Sequence, residues 1–383
     1  GLNLLANDWE FGSEGGHIVP MNMSNIAIKS EKLHFKLEKV KGEYGPVNEM
    51  TVTVRFVFDS PEAGEKYIGF ITPEGGNEEW DEVNHFKNFR TVVNGKSVNT
   101  VSYRLTDFVP KDVKKLEEVK KYFKEYDKEK MMEIFKYYKK SNVYYFKANF
   151  KKGENIVEHS YRYNKAGGDG YIDFDYVWTT ISKWKNKKVD DFEIIVNMKK
   201  NELFSLPYTF WNDGKPIKWE IVGNGDIVFL DKSKLEEGYS EIVYAKLKSG
   251  YVRYKTKNFA PDKEFYSHIP MNRYISSVKS DIKINGYKFR DPLEDEIGTN
   301  LALKGWSEGD KAIKELDKLS TFQLEVLRNY PFAQYGHEFT RKDLRNYFSQ
   351  FFWYEPNKQV YIPEYIYENR VKIIDEILKK RKK

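Results

Sequence analysis

The sequence predicts an α+β protein. An antiparallel β-sandwich region, of one or two sandwiches, carries a helical hairpin insertion and is followed by a small, mainly α-helical C-terminal domain. Three observations predict it. Residues 50–58, MTVTVRFVF, place Val52, Val54, Phe56 and Phe58 on one face of a strand. Asn94-Gly95, between short β-branched runs, is the two-residue turn that hairpins favour, because both positions tolerate positive φ. Beyond residue 319 the apolar spacing changes from two to three and four: Leu324 and Leu327 share one helix face, and Leu344, Phe348 and Phe351 another.

A chain of 383 residues is long for one core. The β region is expected over residues 8–275, with the insertion at about 110–140, a connector over 276–310 and the helical domain over 311–383. Residues 25–37 and 50–58 read as early strands. Pro110 opens a helical pattern in which Val113, Leu116, Val119 and Phe123 recur, and a second run holds Met131, Ile134, Phe135 and Tyr138; its mixed charges describe a solvated hairpin. Strands resume over 143–150, 155–163, 170–180, 191–198, 217–222, 226–230 and 242–247, the spacing of a sandwich or barrel. A connector follows Phe265, with a turn at Asn285-Gly286, and a last helix is expected from Pro363, burying Ile366, Val371, Ile373, Ile374 and Ile377.

Composition narrows the function classes. A net charge of +6 spread over a chain with 32% charged residues is a mildly basic surface, not a nucleic-acid footprint. The absence of cysteine excludes disulfides, thiolate catalysis and cysteine-ligated zinc. No stretch approaches the ~20 apolar residues of a membrane helix. Gly1 with no Met before it suggests a mature start left after a signal peptide, with Gly1 a tag remnant.

The most informative stretch is residues 319–356. Ser320 with Gln323 fits a capping box, and Thr340 with Asp343 a looser one. Pro331 and Gly336 punctuate the connection between the two helices. Phe332, Tyr335, Phe352, Trp353 and Tyr354 form an aromatic plug between them.

The order Leu327-Arg328-Asn329, Phe332 to Gly336, Phe339, Leu344, Tyr347-Phe348 and Trp353-Tyr354 with Pro356 resembles the YARHG domain, a small bacterial module expected outside the cell. In the name-giving pentad Phe332, Gln334 and Tyr335 stand where the family has Tyr, Arg and His; Ala333 and Gly336 are kept. Gly15-Gly16, Ser30 to Leu33, Val93 to Gly95, Tyr176, Thr179, Thr180, Trp184, Asp191, Phe192, Val196, Asn258, Phe259 and Pro261 resemble, collinearly, a family of all-β bacterial secreted or periplasmic proteins. The resemblances imply an extracellular or cell-envelope setting and no particular reaction.

Candidate chemistry is sparse. Asp169, Asp173 and Asp175 could be heard as a cation loop, but they lack the EF-hand spacing, and Asp173 and Asp175 alternate with Ile172 and Phe174 as solvent-facing strand positions do. They are weak metal candidates, and no metal or other cofactor is expected. His17, His34, His85, His159, His268 and His337 show no zinc-ligand spacing. No nucleophile elbow or phosphate loop exists, so no catalytic residue is assigned. Trp178, Trp184, Trp211, Trp219, Trp306 and Trp353 could stack on sugars, although strand aromatics are more often core.

The expectation is a secreted or envelope-associated, non-enzymatic binding protein of unidentified ligand. Its C-terminal module would recognise a cell-wall polymer or envelope protein through Gln334, Tyr335, His337, Arg341, Trp353 and Tyr354. His337 would either cap the preceding helix or present a titratable group. The alternatives are a wall glycosidase or peptidase working through carboxylates of the β region, and an architectural spacer.

Overall fold

The computed structural model describes residues 7–14, 17–20, 24–42, 45–74, 87–104, 141–163, 172–176, 178–270, 275–356 and 369–382. The insertion expected at 110–140 and the helix start expected at Pro363 lie outside them. The chain divides into two compact units, Gly1–Ile227 with Ala245–His268, and Val228–Tyr244 with Ile269–Lys383.

The strands, in chain order, are β1 (Asn7–Glu14), β2 (His17–Pro20), β3 (Ala27–Gly42), β4 (Gly45–Ser60), β5 (Gly64–Glu74), β6 (Lys87–Val93), β7 (Lys96–Val98), β8 (Thr100–Arg104), β9 (Ser141–Phe150), β10 (Gly153–Tyr163), β11 (Ile172–Tyr176), β12 (Val189–Asn197), β13 (Leu203–Pro207), β14 (Glu220–Leu230), β15 (Ile242–Phe259) and β16 (Phe265–Ile269). Among the described residues one sheet runs β2-β1-β5-β9-β8 and a larger one β13-β15-β12-β3-β4-β10-β6-β7, with β14 also paired to β15; β11 pairs with β16. The predicted alternation is the packing: Val52, Val54, Phe56 and Phe58 of β4 are buried while Thr53 and Arg55 are exposed. Phe70 and Phe146 of the smaller sheet meet His159 of the larger at ring distances of 5.1 and 5.4 Å, so the inner faces form one aromatic core. Asn94 and Gly95 have φ of 49° and 79° and join β6 to β7, as the turn chemistry requires.

The α+β class holds, with two corrections inside the β region. β12 lies parallel to β3, where the sequence reading expected antiparallel neighbours. The cause is local: after β11 the chain makes a short 3-10 turn, Thr179–Lys183, and is tied to the entry of β3. Ser24 N–H donates to Lys183 O (2.7 Å) and Lys185 N–H to Ile26 O (2.9 Å). The Asn186 amide closes a pair of bonds with Ile28, 3.1 and 3.0 Å. Both strands then leave the same anchor in the same direction. The strand expected over 170–180 therefore ends at Tyr176, and those expected over 217–222 and 226–230 are one strand, β14.

In the second unit, β17 (Lys283–Ile284) and β18 (Tyr287–Lys288) form a hairpin at Asn285-Gly286. Among the described residues the α-helices that follow are α1 (Ser307–Glu315), α2 (Thr321–Gln334), α3 (Lys342–Phe348) and α4 (Arg370–Arg381). Leu301, Ala312, Leu316, Leu324, Leu327 and Ile374 make their shared apolar core. A second, aromatic centre holds Tyr330, Phe339, Phe348, Phe351 and Trp353. Phe351, expected on the second helix, lies just beyond it and bridges to Lys288.

Candidate functional site

The site is built on α2. Its N-terminus carries the predicted capping box: Gln323 N–H donates to Ser320 Oγ at 3.2 Å, and Ser320 N–H to Gln323 Oε1 at 2.9 Å. The second expected box does not form. Arg341 is the N-cap residue of α3, and Asp343 accepts from its guanidinium. Pro331, expected to end α2, lies inside it. A proline there removes the donor that would bond the carbonyl four residues back, that of Leu327. Arg370 of α4 supplies the replacement, its Nε–H donating to Leu327 O at 2.7 Å.

The signature loop closes α2 as a Schellman motif. His337 N–H donates to Phe332 O (2.9 Å) and Gly336 N–H to Ala333 O (2.8 Å), with Gly336 at φ 82°. His337 thus caps through its backbone, and its side chain is exposed. The imidazole lies edge-on to Phe339 at 4.9 Å. Tyr354 Oη–H donates to His337 O at 2.8 Å and fixes the loop from the other side. Gln334 and Tyr335, both half-buried, complete the display. An amide, a phenol and an imidazole held on an ordered backbone can exchange hydrogen bonds with a polar ligand at little ordering cost. Gly336→Ala forces a Cβ into the left-handed region and is expected to cost about 1–2 kcal/mol in urea unfolding.

The remaining expected residues are placed otherwise. Arg341 is exposed but occupied, donating to Glu325 at 2.8 Å and Asp343 at 2.6 Å. Trp353 is fully buried, with Nε1–H donating to Phe289 O at 3.2 Å, and Tyr354 is also buried. Gln334, Tyr335 and His337 share the C-terminal turn of α2 and the loop that closes it; Tyr354 bonds that loop and packs on Trp353. Asp175, expected to face solvent, is buried. Its strand β11 packs Phe174 and Tyr176 against Phe35, and the carboxylate, after burial itself, helps push up the Tyr161 hydroxyl pKa. Asp169 and the Asp173 side chain lie outside the described residues, among which no three carboxylate or imidazole groups assemble. His159 is a core residue bonded to Thr91 at 3.0 Å, and His268 bonds Ser205 at 2.7 Å.

The sequence pattern does not announce a partly buried ionic framework near the aromatic centre, with one deeply buried pair in it. Arg370 pairs both terminal guanidinium nitrogens with Glu294, one at 2.8 Å, with side-chain exposures of 12% and 4%. Its guanidinium also lies 5.9 Å from the Tyr330 ring centre. Arg290 bonds Asp295 (2.7 Å) and Glu236 (2.6 Å), Tyr347 Oη–H donates to Asp291 (2.7 Å), and Arg328 holds Asp375 at 2.5 and 3.2 Å. Burial pushes the Asp291 carboxyl up, against the Tyr347 bond that pulls it down. One sequence signal exists: Arg370 falls four residues before Ile374, on the buried stripe of α4.

The second unit is therefore a capped-helix module closed on an aromatic centre. Residues 300–380 match the YARHG domain. No curated protein matches the chain. Among solved structures, a "putative nutrient binding protein" of Legionella pneumophila is similar over 98% of both chains, with 17% identity and a TM-score of 0.54, a likeness of fold. Among the described residues no helix is long and apolar enough to cross a membrane.

Proposed function

We propose that this chain is a binding protein of the cell envelope or exterior whose helical domain, residues 311–383, recognises a cell-wall polymer through Gln334, Tyr335 and His337. The observation that carries the reading is the Schellman loop, which spends its backbone on closing α2 and leaves the His337 side chain exposed. Two further points support it: the YARHG match spans this loop, and the fold resembles a protein whose own description is one of nutrient binding.

The test is retention of the full chain on purified peptidoglycan, on teichoic acid and on immobilised envelope proteins. Retention on a wall polymer is expected, weakened by about tenfold or more in the Gln334→Ala/Tyr335→Ala/His337→Ala variant. Retention on protein alone, or equal retention by the variant, contradicts the reading.

A further inference from the structure

From the exposure of one indole on a locked loop, we propose that Trp306 is a stacking platform for a pyranose ring, a second contact that rests on the wall-polymer reading above. The other tryptophans whose side chains are described are otherwise engaged. Trp178, Trp184, Trp219 and Trp353 are buried in cores. Trp211 is tied through Nε1–H to Ala260 O at 3.1 Å, with the Lys215 ammonium 5.7 Å over its ring. Trp306 is 71% exposed.

Its backbone, in contrast, is held at several points. Trp306 N–H donates to Leu303 O at 2.9 Å, and Asp310 N–H to Trp306 O at 3.0 Å. Asp310 Oδ1 accepts from Gly305 N–H at 3.2 Å. Gly309 is packed so closely on the Leu303 carbonyl that a Cβ there would collide with it. An indole fixed at its base and open at its faces loses little freedom on binding.

Magnitudes decide the partner. A tryptophan offers at most ~150–250 Å² of contact, and among the described residues the exposed large apolar side chain close to it in the chain is Leu303, 44% exposed. A stable protein interface needs roughly 800 Å² on each side. Lys304, Ser307, Glu308 and Lys311 around it are exposed and polar, where an interface core would be apolar. Glu308 and Asp310 offset Lys304 and Lys311, so these four exposed groups carry no net positive charge to draw an acidic lipid surface. A sugar ring matches what remains: one apolar face to cover an indole, with hydroxyls at its edge for Lys304 and Glu308 to bond.

Titration of the full chain with chitotetraose, cellotetraose and maltotetraose, read by isothermal titration calorimetry, tests this, with phosphatidylglycerol vesicles as a parallel arm. At least one oligosaccharide is expected to give a saturable binding heat, Trp306→Ala to abolish it, and Trp306→Phe to retain a weaker affinity. The exposed side chain makes both variants expected to unfold at the parent's urea midpoint. No response to any of the three sugars, an unchanged response in Trp306→Ala, or a response to vesicles alone overturns the assignment. If Trp306→Ala also binds wall polymer as the parent does while the Gln334/Tyr335/His337 variant does not, the loop reading stands and the Trp306 proposal falls.

Discussion

Arg370→Ala is expected to destabilise the C-terminal unit by roughly 3–5 kcal/mol, because it strands the buried Glu294 carboxylate without its cation. The same change removes the donor to Leu327 O, the carbonyl that Pro331 leaves without an intrahelical partner. The two losses can be separated. Replacing the pair together, Arg370→Met with Glu294→Leu, removes both charges and is expected to recover most of the deficit, since apolar replacements of buried ion pairs are often neutral. The Leu327 carbonyl stays unpaired in that variant, so a residual cost of about 1–3 kcal/mol is expected. Urea unfolding of the two variants and the parent, followed by tryptophan emission, measures both. Equal stability of Arg370→Ala and parent would show that the pair is not buried in solution.

Trp353→Ala is the second large effect, at about 3–5 kcal/mol for a fully enclosed aromatic. The ring packs on Phe351 at 5.2 Å and on Tyr330 at 5.3 Å, and its indole N–H satisfies the Phe289 carbonyl. Trp353→Phe fills most of the volume and leaves that carbonyl unpaired, so a smaller loss of about 1–2 kcal/mol is expected. Polymer binding per folded molecule should be unchanged in Trp353→Phe. A stable Trp353→Ala protein with weakened binding would return Trp353 to the contact surface where the sequence pattern placed it.

What could be read from sequence was local. The alternation in β4, the Asn-Gly turns and the Ser320/Gln323 box each depend on neighbours within a few residues, and each is present. What could not be read depends on distant partners. Pro331 reads as a helix end because its missing N–H looks unanswered; the answer comes from Arg370, 43 positions beyond the Leu327 whose carbonyl it bonds. β12 reads like its antiparallel neighbours because strand direction is set by the Asn186–Ile28 clamp, not by side-chain period. Trp353 and Tyr354 look like ligand platforms for the same reason that they make good core: an aromatic with a polar tip suits both, and only burial tells them apart. Arg341 has the charge of a contact residue, but Glu325, on the preceding helix, already claims it. Of the candidate site, the loop was legible and its support was not.

The central claim is that the Gln334–Tyr335–His337 loop, and not the aromatic centre, contacts the ligand. The direct measurement is the equilibrium binding isotherm of the full chain on purified cell wall, for the parent and the Gln334→Ala/Tyr335→Ala/His337→Ala variant, with the urea midpoint of each recorded alongside. Affinity lower by about tenfold or more at an unchanged midpoint is the predicted result. Identical isotherms at matched stability would contradict it.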